Sequence, residues 1–115
     1  MSDIQNLLHA RSATHGNFGN VANVAQRIKR VLHDTDGWPF LSDEQAESLD
    51  MIAMKIARVL SGDPSHADHW EDIEGYARLI SNKIASDRAI DRMERSIREK
   101  VENDKQSTAT TDPEN

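Results

Sequence analysis

The stretch LDMIAMKIARVLSGDPSHADHWEDIEGYARL, residues Leu49 to Leu79, decides the fold. Leu49, Ile52, Ala53, Ile56, Val59 and Leu60 recur at three- and four-residue intervals, the period of a helix with one apolar face. Gly62 and Pro64 end that helix, and a second one starting near Asp63 to Ser65 carries Trp70, Ile73, Ala77, Ile80 and Ile84 as its buried face. So short a connection makes the two helices antiparallel, with facing positions whose numbers sum to about 126. This register sets Ile56 against Trp70, Ala53 against Ile73 and Leu49 against Ala77. It also brings Arg58 opposite Asp68, Lys55 close to Asp72, and Met51 near Gly75. The pairing accounts for a costly sequence: like charges four apart repel by about 0.2–0.5 kcal/mol, and an interior glycine costs roughly 1 kcal/mol relative to alanine.

Working outward, Ser42 with Gln45 three residues on is a capping box that opens the first helix of the hairpin. Upstream, Asn20 is suited to cap a helix whose apolar stripe is Val21, Val24, Ala25, Ile28, Val31 and Leu32, and "HDTDGWPF" breaks it. A short helix starting after Ser2 or Asp3 carries Ile4, Leu7 and Leu8 and ends near "RSATHGNFGN", which reads as a polar loop. Downstream, "SDRAIDRMERSIREKVEND" continues or restarts the last helix, with Ile90, Met93, Ile97 and Val101 as a thin stripe. The expectation is an all-α chain: a compact bundle of four or five helices around a central antiparallel hairpin, one domain over residues 1–105, and a disordered tail over 106–115.

A chain of 115 residues has room for one domain and one site. Its net charge of −6 argues against general nucleic-acid binding, which depends on cations facing phosphates. Without cysteine, thiol nucleophiles, disulfides and zinc-thiolate centres are excluded. No apolar run is long enough to span a bilayer, and the first residues have no secretion signal, so no membrane contact and a cytoplasmic location are expected.

The charged hairpin admits two readings. Cross-helix pairs of Lys55 and Arg58 with Asp68 and Asp72 could only fix the register, since such pairs are weak evidence for stability. The same residues could also form a site, with carboxylates holding Mg²⁺ and the cations meeting phosphate oxygens. Glu44 and Glu47, and after them Glu71 and Glu74, add two further acidic pairs at a spacing of three. "EQAE" and "EDIE" together resemble the E-x-x-E and E-x-x-D helices of the all-α nucleoside triphosphate pyrophosphohydrolases of the MazG and dUTPase type, although Glu74 stands where that family has Asp. A broader likeness spans about residues 9 to 85: "HARSATHGNFGNVANVAQ", "LDMIAMKIARVLSGD" and "DHWEDIEGYARL" resemble a small helical family of tailed phages and prophages. It is carried by His15 and Gly16, Lys55 and Arg58, and Asp68, Asp72, Gly75 and Tyr76. Asn17 stands where Asp is common.

These resemblances imply a phage-encoded, MazG-like nucleotide-binding protein, in one form a Mg²⁺-dependent pyrophosphohydrolase acting as a homo-oligomer. In that reading Glu44, Glu47, Asp68 and Asp72 hold the metal, Glu47 and Glu71 are catalytic, and Lys55, Arg58, His15 and Tyr76 hold the substrate. The alternative is a non-enzymatic phage accessory or counter-defence protein that binds a host protein or sequesters a signalling nucleotide. His15, His66 and His69 also invite a metal reading, against which polar histidines at a helix start more often face solvent or cap it. The two glycines of "THGNFGN" could offer N–H groups to an anion or simply serve the turn. Trp38 and Phe40 are expected to cover the open end of the core, and no Ser, His and Asp arrangement suggests a triad.

Overall fold

The computed structural model describes residues 2–110, with side chains through residue 107. The order of elements is α1 (Asp3–His15), α2 (Phe18–His33), one 3₁₀ turn (Trp38–Phe40), α3 (Asp43–Ser61) and α4 (Ala67–Thr110). Among the described residues there is no strand, and the chain is all-α. It divides into two compact units, Met1–Ile80 and Ser81–Asn115.

Local chemistry explains most helix ends. Ser42 and Gln45 form the expected reciprocal capping box, and Ser2 with Gln5 forms a second one at the start of α1. Helix α1 is longer than the sequence suggests, because "RSATH" continues it to His15. Gly16, at φ +85°, then ends it in the left-handed region that glycine enters without a side-chain clash. Asn17, rather than Asn20, caps α2, its Oδ1 accepting from the N–H groups of Gly19 and Asn20. Those amides serve the cap, which favours the turn reading of "THGNFGN".

In the unit 1–80, α2 and α3 pack on each other around buried Val21, Ala25 and Ala57 with Val24 and Met54 at their margin, and Ala53 on α3 is also buried. Small residues let the two backbones approach. The expected hairpin register is seen in two bonds between α3 and α4. Lys55 Nζ meets Asp72 at 2.8 Å, and Ser48 Oγ donates to the Tyr76 carbonyl at 2.8 Å.

The compact bundle of four or five helices needs correction. Its expected core is largely at the surface: Ile4, Leu7, Leu8, Val31 and Leu60 are exposed, and Trp70 is 55% exposed with its indole N–H donated to the Pro64 carbonyl. Phe40, expected over the end of the core, is 88% exposed, whereas Trp38 packs on the His33 ring, which bonds Asp50 at 2.7 Å. Of the two courses expected for the last helix, α4 continues through Ser86 and Asp87; residues 81–110 form a unit of one charged helix, with Lys83 and Asp87 paired along it and Ile90, Met93, Ile97 and Val101 exposed. So thin a stripe offers too little apolar area to draw the segment into a core. Of the expected tail, residues 106–110 are helical, and residues 111–115 lie outside the described residues.

The tightest contact is between backbones. A Cβ at Gly62 would sit 2.4 Å from the Thr14 carbonyl oxygen and 2.7 Å from the Gly16 nitrogen, and one at Gly16 would sit 2.6 Å from the Ser61 carbonyl carbon. Overpacking of this kind costs about 1–3 kcal/mol or more. Gly62→Ala should therefore lower the urea midpoint markedly, while Gly37→Ala, with nothing within 4 Å of the new methyl, should leave it within experimental scatter.

Candidate functional site

The contact of Gly16 with Gly62 brings the end of α1 to the linker between α3 and α4, and that linker is extensively bonded. Asp63 donates its N–H to the Thr14 carbonyl at 3.1 Å, accepts from Ser65 N–H through Oδ1 at 2.9 Å, and accepts from His66 N–H through its own carbonyl at 3.1 Å. These bonds place His66 just before α4 and His69 in its first turn, both beside His15 at the end of α1. The ring centroids of His15 and His69 are 4.9 Å apart, as are those of His66 and His69, and His15 and His66 are at 5.6 Å. One nitrogen of each ring can be chosen so that all three lie within 4.8 Å of one another.

His69 is only 1% exposed, and its Nε2 donates to the Thr14 carbonyl at 3.0 Å. Because a carbonyl only accepts, that nitrogen carries the proton. His15 Nδ1 is buried without a hydrogen-bond partner among the described residues. Burial, helped by the neighbouring His69, Arg11, Arg58 and His66, pushes the His15 pKa down and so disfavours the protonated ring. His66 Nε2 lies 3.5 Å from an Asp68 oxygen.

His15 also lines a pocket of ≈ 420 Å³ with Arg11, Ser12, Asn17, Met54 and Arg58, completed by Leu8, Gly16, Phe18 and Val21. No carboxylate lines it, and among the described residues the guanidinium groups of Arg11 and Arg58 make no ion pair or hydrogen bond. Helix α1 supplies Arg11 and His15 from one face, four residues apart, and α3 supplies Arg58 from across.

The residues singled out from sequence fall into separate places. Arg58 and His15 meet in this pocket. Lys55, with its side chain 11% exposed, is committed to Asp72, and Asp68 stands by His66 instead of Arg58. Glu44 and Glu47 line a different pocket with Tyr76, Leu79 and Ile80. Glu71 is exposed, and Glu74 is 3.7 Å from Arg78 along the helix. Among the described residues the carboxylates form no group of three at metal-binding distance, whereas the three histidines do. Arg11 was not legible as a site residue because the sequence placed a loop where α1 continues; reading the helix through to His15 would have put the two on one face.

The hydrogen bond from Lys55 and its charge hold Asp72 below the ordinary aspartate pKa, against a smaller opposing effect of burial. A carboxyl depressed in the fold stabilises it above its unfolded pKa, and loses that contribution as pH falls through the folded value. Acid unfolding of Asp72→Asn should therefore be shallower than that of the parent in the range below ordinary aspartate titration. Near neutral pH the two partners should differ. Asp72→Ala strands a buried ammonium and should lower the urea midpoint more than Lys55→Met, which leaves a half-exposed carboxylate free to hydrate.

Comparison with curated proteins and with solved structures gave no match. Residues 1–85 match the model of one family, DUF6378, described as a domain of unknown function. That span takes in α1, α2, α3, the linker with its histidines and the arginine pocket, so the chain belongs to the DUF6378 family.

Proposed function

We propose that this protein binds a phosphorylated small ligand, best fitted by a nucleotide, in the pocket of Arg11, Arg58 and His15. The observation that carries the reading is the pair of guanidinium groups that make no ion pair or hydrogen bond among the described residues, Arg58 being half-buried, in a pocket that no carboxylate lines. Guanidinium forks match phosphate oxygens, and the apolar wall of Leu8, Phe18, Val21 and Met54 suits a base. Its volume of ≈ 420 Å³ lies within the usual size range of small-molecule pockets.

Of the two forms of this proposal, sequestration fits the geometry more directly than turnover. The Mg²⁺-dependent hydrolase form needs Glu44, Glu47, Asp68 and Asp72, with Glu71, to converge on one ion, which would call for a second copy of the chain. Exposed Ile4, Leu7 and Leu8 on α1 give a homo-oligomer an apolar face to bury. The phage origin, and a counter-defence role in which a signalling nucleotide is withheld from the host, rest on the sequence resemblance and belong to the same proposal.

Isothermal titration of the protein with ATP and with inorganic pyrophosphate tests the reading, with pyrophosphate release measured in parallel in Mg²⁺. Charge-assisted hydrogen bonds contribute about 1.5–3 kcal/mol, so Arg58→Gln and Arg11→Gln should each weaken binding roughly tenfold or more while the melting temperature holds. Absence of binding by the parent protein, or an unchanged affinity in Arg58→Gln, would overturn it. Release of pyrophosphate would decide for the hydrolase form.

A further inference from the structure

We infer that His15, His66 and His69 bind a divalent late first-row metal ion, zinc in the first instance, through one imidazole nitrogen each. Three separate observations converge on this site. First, the rings come from three places in the chain, the end of α1, the linker and the first turn of α4, yet present nitrogens that all lie within 4.8 Å of one another. Around a tetrahedral ion with bonds of about 2.0–2.1 Å, ligand nitrogens stand roughly 3.4 Å apart, so side-chain rotation and a shift of about 1.4 Å at most close the site.

Second, the Thr14 carbonyl fixes the tautomer of His69. With Nε2 as the donor, the neutral ring carries its lone pair on Nδ1. A backbone carbonyl that takes the far N–H of a ligating histidine is the usual orienting partner in such centres. Asp68, 3.5 Å from His66 Nε2, is placed to act in the same way on a second ring.

Third, the buried Nδ1 of His15 has no partner among the described residues. A buried nitrogen is rarely left without one, and a metal ion would supply it. The donor set also chooses the metal. Imidazoles suit zinc, cobalt and nickel, whereas Mg²⁺ prefers oxygen ligands and octahedral geometry. Three protein ligands leave a fourth position for water or an oxygen of a bound anion. His15 belongs to both sites, but His66 and His69 lie outside the pocket and Arg11 and Arg58 lie outside the triad, so each site can be tested through residues of its own.

The test is titration of tag-free protein with Co²⁺, read by its visible d–d bands, followed by displacement with Zn²⁺ and a metal-to-protein ratio by mass spectrometry. One equivalent per chain is expected, with intense four- or five-coordinate bands. His66→Gln, a half-exposed position whose folding is checked by circular dichroism, should weaken binding by more than about tenfold, and Asp68→Asn by less. Arg58→Gln should retain the metal even as it loses the phosphorylated ligand, which separates the failure of one proposal from that of the other. Absence of stoichiometric uptake by the parent protein, or unchanged affinity in a folded His66→Gln, would overturn the inference.

Discussion

Two glycines hold the end of α1 against the end of α3. Where α1 meets the end of α3, Gly16 faces Ser61 and Gly62 faces Thr14 and His15, at distances that no side chain could share. The histidine cluster and the arginine pocket both adjoin that contact. It orients the Thr14 carbonyl toward both the Asp63 amide and the His69 ring, and thereby sets His15 against His66 and His69, some fifty residues further along the sequence. The same approach sets α1 across from α3, so that Arg11 and Arg58 line one pocket.

The surrounding core is small. Buried Val21, Ala25 and Ala57 join α2 to α3, and larger aliphatic residues stand at the margins or in solvent. A core of alanines gives close approach and little apolar area. Polar links then carry more of the specification: the Lys55–Asp72 pair, the bond from Ser48 to the Tyr76 carbonyl, and the His33–Asp50 contact under Trp38. Such links are modest in energy but strict in geometry, which suits a protein that must hold a few side chains in register.

The hairpin of α3 and α4 was legible in the sequence because short connections and apolar periodicity both constrain register. Lys55 with Asp72 follows from them. Arg58 with Asp68 does not, since each of those residues has another neighbour: the arginine the pocket, the aspartate His66. Burial was less legible than periodicity. Trp70, Leu60 and Ile4 occupy the right phase of their helices and remain exposed, because phase says which way a side chain points and not whether anything stands opposite. The histidine cluster was visible as three residue names, yet its geometry depends on a helix read too short and on a close approach of Gly16 to Gly62 that the sequence did not announce.

The connection between α3 and α4 has a property that its composition does not announce. From Gly62 to His66 it is stitched at one end to Thr14 and at the other to the first turn of α4, with Trp70 bonded back to Pro64. Its length is therefore a fixed quantity. One added residue would turn His69 away from the carbonyl that orients it and separate it from His15, whereas the segment between α2 and α3 adjoins no part of the histidine cluster or the arginine pocket. Among homologues, variation in loop length should be confined to that second segment, and the five-residue spacer should behave like a part of the site.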